Sequence, residues 1–202
     1  MQRTRMSGAA ATLRKGVVAG AVLVGTLAAT GRAAAAQTWA GALSGTQQVP
    51  PNASTASGFT SLTLVGNLLT VDLSWTGLTG GPLAAGHIHC CVLPGANADV
   101  VVPFVGIRSA TTGSYNNTFD LLSTSTYTSA FLTASGGTAA GAEAALIKGL
   151  NAGMAYVNVH DATYPGGEIR ANVLTTPEPT TFALAALGLG GAGLVARRRR
   201  QS

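Results

Sequence analysis

Two runs constrain the fold most: Ala155-Tyr156-Val157-Asn158-Val159-His160 and Glu168-Ile169-Arg170-Ala171-Asn172-Val173. Both alternate apolar and polar residues, and a period of two marks a strand with one face in a core. Val157 and Val159 take one side, and Tyr156, Asn158 and His160 the other. In the second run Ile169, Ala171 and Val173 oppose Glu168, Arg170 and Asn172. Between the runs lies Asp161-Ala162-Thr163-Tyr164-Pro165-Gly166-Gly167, where proline presets one turn position and the glycines accept positive φ. The pair reads as a β-hairpin with a core face and a polar face rich in functional groups. Gly86-His87-Ile88-His89-Cys90-Cys91-Val92 has the same alternation, with His87, His89 and Cys91 opposite Ile88, Cys90 and Val92. The apolar sides predict that Val71, Leu73, Ile88, Val157, Val159 and Ile169 are buried.

Taken in order, Thr38 to Val49 reads as a first strand ended by Pro50-Pro51. Gly58 to Val65 and Leu68 to Trp75 read as a hairpin, because Gly66-Asn67 suits a two-residue turn. After the turn Gly77-Leu78-Thr79-Gly80-Gly81-Pro82 come the histidine strand, Val100 to Val105, and Tyr115 to Leu122. Ala139 to Leu150 reads as a short helix, with a second over Thr126 to Ala134. About eight strands joined by short turns predict an all-β domain, a Greek-key β-sandwich with one helical insertion.

Both ends of the chain read as addresses rather than fold. In residues 1–36, Arg3, Arg5, Arg14 and Lys15 precede an apolar stretch from Gly16 to Thr30, and Ala34-Ala35-Ala36 offers a cleavage site. That order is expected of an export signal peptide with its signal helix. In residues 177–202, Pro177-Glu178-Pro179 leads to an apolar run from Thr181 to Ala196, then to Arg197, Arg198, Arg199 and Arg200. As a transmembrane helix, 181–196 would extend roughly 24 Å, short of the ~30 Å of a bilayer core. The arginines are expected to stay cytoplasmic, which places residues 37–176 outside. These three parts in this order resemble the PEP-CTERM sorting signal of Gram-negative bacteria. The resemblance implies a membrane-anchored precursor, processing by an exosortase, and a final place in the outer envelope or outside the cell.

The chain's net charge of +5 belongs to these two addresses. Residues 37–176 carry Arg108, Lys148 and Arg170 against Asp72, Asp99, Asp120, Glu143, Asp161 and Glu168, a net −3, so no nucleic-acid partner is expected. No nucleophile motif, phosphate loop or pair of catalytic acids is visible in the sequence, and no enzymatic activity is expected. The two cysteines are adjacent, so no long-range disulfide braces the domain.

Four ordered motifs add a family resemblance. Leu43-Ser44-Gly45-Thr46-Gln47-Gln48-Val49-Pro50-Pro51 opens the set, and Gly77-Leu78-Thr79-Gly80 leads to Ala85-Gly86-His87-Ile88-His89. Ala145-Leu146-Ile147-Lys148-Gly149-Leu150 precedes the first half of the hairpin, and Pro165-Gly166-Gly167-Glu168-Ile169-Arg170 ends it. Together, over residues 38–174, these resemble the CHRD domain. The family implies an extracellular β-sandwich-like module without a well-established enzymatic activity. Many members carry small residues where this chain has Cys90-Cys91. The His-Ile-His after a glycine-bounded turn also resembles Cu/Zn superoxide dismutase. That enzyme's two-metal centre needs more than three histidines, so this likeness bears on fold alone.

His87, His89 and His160 are the only histidines of the chain. Two readings stay open for them. In one they hydrogen-bond each other and nearby loops to brace the sheet, with Glu168 and Arg170 as a charge pair. In the other they converge on zinc or copper, with Cys91, Asp161 or Glu168 as a further ligand or support. Cys90 and Cys91 are read as a buried apolar residue with an independent neighbour, as a vicinal disulfide, or as a source of a thiolate ligand. The first histidine reading makes the domain a binding or structural module for a protein or extracellular polymer. The second makes it a small extracytoplasmic metalloprotein.

Overall fold

The computed structural model describes residues 35–176. The expected signal helix and the 181–196 helix lie outside these residues. Among the described residues no helix is long and apolar enough to cross a membrane.

Among the described residues nine strands form one curled antiparallel sheet, where a two-sheet Greek-key sandwich was expected. They are β1 (Gln37–Ser44), β2 (Ser57–Val65), β3 (Leu68–Thr76), β4 (Ala85–Cys90), β5 (Val100–Pro103), β6 (Gly113–Asp120), β7 (Ala155–His160), β8 (Ile169–Asn172) and β9 (Leu174–Thr175). The order across the sheet is β5-β4-β7-β8-β1-β2-β3-β6, with β9 paired to β1. The sheet curls until its two ends meet through side chains: Phe104, just past β5, stacks on Tyr115 of β6 at 5.2 Å. The Tyr115 hydroxyl donates to the Val105 carbonyl at 3.1 Å.

Alternation gives the curled sheet one inward face. Leu62 and Leu64 on β2 and Leu69, Val71, Leu73 and Trp75 on β3 all turn inward and are buried. Gly66 takes φ 60° in the turn between them, a conformation that costs glycine little. Ile88, Val157, Val159 and Ile169 meet that face and are also buried, so the predicted core set holds in full. At roughly 25 cal/mol per Å² of apolar surface removed from water, this layer is the main stabilising term.

Two helices lie between β6 and β7. Helix α1 (Ser129–Ala134) is capped by the Thr128 hydroxyl, and α2 (Ala139–Asn151) by the Thr138 hydroxyl. Thr124–Thr126 is a separate 3-10 turn, so α1 begins later than its composition suggests. Ala142, Leu146, Gly149 and Leu150 make a buried stripe at helical spacing. Gly149 lies against the sulfurs of Cys90 and Cys91, and a Cβ there would collide with both.

Several boundaries differ from expectation: β4 ends at Cys90, β5 at Pro103 and β6 at Asp120. The first strand stops at Ser44, because Gly45–Gln47 turns as a 3-10 helix and frees Gln47 and Gln48 for other contacts. Strand β8 begins at Ile169, since Gly167 takes φ 117° and places Glu168 outside the pleat. Strand β9 was not anticipated; two residues carry no period.

Candidate metal centre

Strand pairing brings the polar side chains together. His87 faces Asn158 across β4 and β7, and Asn158 faces Arg170 across β7 and β8. His89 faces Tyr156, which in turn faces Asn172. His160 lies opposite Ala85, one pleat step from the His87 row. Residues directly opposite in an antiparallel pair share a face, so one face collects all three histidines.

The histidine nitrogens converge. One ring nitrogen from each of His87, His89 and His160 lies within 4.8 Å of the other two. His160 Nδ1 is 3.0 Å from the Pro165 carbonyl, and His89 Nδ1 is 2.9 Å from the Ala98 carbonyl. A carbonyl only accepts, so both Nδ1 atoms carry the proton and both Nε2 atoms of the neutral rings are bare. His87 Nδ1 is 3.2 Å from His160 Nε2 and donates to it. His89 Nε2 is buried and has no hydrogen-bond partner among the described residues.

The rings are held neutral. Burial lowers the His87 pKa to about 4, helped by repulsion from His160 and His89. Burial likewise lowers His89 to about 4, against the opposing hydrogen bond to Ala98. His160 is lowered by burial, with the Pro165 hydrogen bond opposing. At neutral pH the cluster is therefore uncharged: the His87 N–H points at His160 Nε2, and His89 Nε2 offers a bare lone pair.

The polar face is itself buried, which alternation alone does not reveal. The segment after β4 folds back over it. The Tyr156 hydroxyl accepts from the Ala98 amide at 3.0 Å, and its ring stacks on His89 at 4.6 Å with 3° between planes. The Arg170 guanidinium lies 3.4 Å from the Tyr156 ring centre and donates to Ala96 O, Asn97 Oδ1 and Asn172 Oδ1. From the other side Gln48 Nε2 donates to Asn158 Oδ1 at 2.7 Å, and Gln47 Oε1 accepts from Asn172. His89 is thus fixed by its carbonyl and by the clamped tyrosine ring.

A family model of the CHRD domain matches residues 39–173. The chain belongs to the CHRD-domain family. A PEP-CTERM protein-sorting motif matches residues 175–200. It indicates export, membrane-anchored sorting and processing by an exosortase. Pro177, Glu178, Pro179 and Arg197 to Arg200 fall in this match and lie outside the described residues. No curated relative and no solved structure matches the chain.

The other expected site residues of this CHRD domain separate from the histidines. Cys91 is bonded to Cys90, so it offers no thiolate, and its sulfur packs 3.7 Å from the Ala145 carbonyl oxygen on α2. Glu168 and Arg170 are not a charge pair: Glu168 leaves the pleat and accepts from Ser54 and Thr79, while Arg170 has the partners given above. Asp161 and Glu168 instead face each other as two buried carboxyl groups, a pairing the sequence did not disclose. Burial, then the hydrogen bond to Glu168, raises the Asp161 pKa. Burial works against the hydrogen bonds from Asp161, Ser54 and Thr79 that hold Glu168 down to about 2. Neither carboxyl is hydrogen-bonded to a histidine, and Gly80 lies directly against the Asp161 carboxylate, where no side chain would fit. Tyr156, Gln48, Ala98 and Pro165 were missed as site residues; the last two act through backbone carbonyls, which leave no trace in residue type.

Proposed function

We propose that the CHRD domain is a non-enzymatic envelope module whose ligand is one transition-metal ion, zinc or copper, held by His87 Nδ1, His89 Nε2 and His160 Nε2. The observation that carries this reading is the buried, unpartnered His89 Nε2 aimed into a cluster of neutral imidazoles. Nitrogens at tetrahedral angles and about 2.0–2.1 Å from zinc stand about 3.3 Å apart; His87 and His160 are hydrogen-bonded at 3.2 Å, and all three ligand atoms lie within 4.8 Å, so the set would draw together on a metal. Both carbonyls behind the rings hold the tautomers that expose Nε2, as outer-shell partners of metal ligands do. On binding, His87 only has to move its proton from Nδ1 to Nε2. An all-imidazole set suits zinc and copper and leaves a coordination position free.

After removal of the signal segment and the sorting tail, the module would reside in the outer envelope or outside the cell. The test is titration of the 37–176 domain with Zn²⁺ and Cu²⁺. Saturable one-to-one binding that His160→Ala abolishes supports the reading, and no binding tighter than about millimolar removes it.

A second reading keeps the histidines structural and makes the domain a module for a protein or extracellular polymer. It draws on the outer face of β2, β3 and β6, where the half-exposed Phe59 lies beside Asp72, Ser74, Ser114 and Asn116.

A further inference from the structure

Strand β9 sits where two programmes of the chain meet. The CHRD match ends at Val173 and the sorting match begins at Thr175. The first residue of the sorting segment is therefore part of the folded sheet. Leu174 lies opposite Ala40 and Thr175 opposite Trp39, and the Thr176 amide donates to the Thr38 carbonyl at 2.9 Å. The Thr176 hydroxyl donates to the same carbonyl at 3.1 Å. Leu174, Thr175 and Thr176 are all exposed, so this attachment is almost entirely backbone. Short, exposed pairings of this kind are the low-stability end of a structure and open without global unfolding.

Chain length then limits what a membrane-bound protease can reach. Only Pro177 to Thr180 separate Thr176 from the apolar run that begins at Thr181. Four residues span at most about 13 Å when extended. Releasing Leu174 to Thr176 lengthens this tether to seven residues, about 23 Å. The backbone of these three residues also cannot pair with β1 and with a second strand-like binding cleft on the same edge at once.

We infer that Leu174–Thr176 is a two-position clip: paired to β1 in the free domain, and handed to the sorting protease as the leading part of its extended substrate. The partner is the exosortase, and the inference rests on the sorting reading. Clip opening precedes the cut, so the fraction of open clip scales the maturation rate.

The experiment follows conversion of full-length precursor to its processed form in a host that carries the sorting protease. Ala40→Cys with Leu174→Cys places a disulfide across the directly opposed pair, its formation read by thiol labelling. The oxidised precursor is expected to mature about tenfold more slowly than wild type, and mild reductant to restore the rate, with wild type under the same reductant as control. Thr176→Pro removes the amide that donates to Thr38 and is expected to mature faster. Glu178→Ala tests the sorting motif itself and should accumulate as precursor. Locked and wild-type precursors maturing at one rate while Glu178→Ala stays uncut would overturn the clip, as would slower maturation of Thr176→Pro. Normal maturation of Glu178→Ala would remove the sorting reading and the clip with it.

Discussion

Metal removal from the wild-type domain, set beside His160→Ala, gives the sharpest test of the centre. A ligand that binds only the folded state at a hundred times its Kd adds about 2.7 kcal/mol of stability. The structure describes residues 35–176, and a domain of about 140 residues has an unfolding entropy of about 0.3 kcal/mol/K near its midpoint. The melting temperature should therefore rise by about 9 °C with saturating Zn²⁺ and fall back on chelation. His160 is only partly buried, and its loss leaves the Pro165 carbonyl and His87 Nδ1 to water. The metal-free variant should then melt within a few degrees of the metal-free wild type, at a cost of about 1 kcal/mol. Its metal-dependent shift should vanish, because two nitrogens remain of three. Differential scanning calorimetry at pH 7 with defined free metal reads both numbers. A shift that persists in His160→Ala, or none in wild type at millimolar metal, would refute the reasoning. Because burial lowers all three imidazole pKa values, to about 4 for His87 and His89, the shift should fade at a lower pH than free imidazoles would set.

Three further outcomes are expected. Val159 is fully buried, so Val159→Asp strands a carboxylate in the core and should unfold the domain, seen as loss of the cooperative melt by circular dichroism. Asp161 has a raised folded pKa, so its contribution is full below its unfolded pKa and fades as pH rises through the folded value. Glu168 has the opposite sign: its contribution is present above the ordinary 4.5 and is lost as pH falls toward about 2. Asp161→Asn removes the group with the raised pKa, and chemical denaturation should show that the loss of stability with rising pH becomes smaller; an unchanged pH profile would contradict the raised Asp161 pKa. An alkaline phosphatase fusion at Thr175 should be active, since the sorting motif indicates export; activity of a cytoplasmic reporter there instead would reverse the topology.

The strand pattern was legible because each long strand has one face in a single core. Leu69, Val71 and Leu73 on β3, and Val157 and Val159 on β7, alternate without a break, and every one is buried. The helix over Ala139–Asn151 was legible for the same reason at a different period. Glu168 was misplaced because Gly167 ends the alternation one residue before the strand begins. Arg170 was taken for half of an ion pair, but its partners are the Ala96 carbonyl, two asparagine side chains and the face of Tyr156. None of these carries a charge that composition would flag.

By itself the sequence determined the mostly-β class, the inward face of each long strand, the sorting motif at the C-terminal end and the identity of the three histidines. Those are local properties: side-chain period, turn chemistry and residue type act over a few neighbouring positions. Only the tertiary structure decided that His87 and His89 meet His160, more than 70 residues away, because register between β4 and β7 is set by the packing of Ile88 against Val157 and Val159. It also decided which ring nitrogens are bare. Carbonyls of Ala98 and Pro165 hold the protons on the far side, and backbone oxygen is present at every position, so only the path of the chain selects which ones matter.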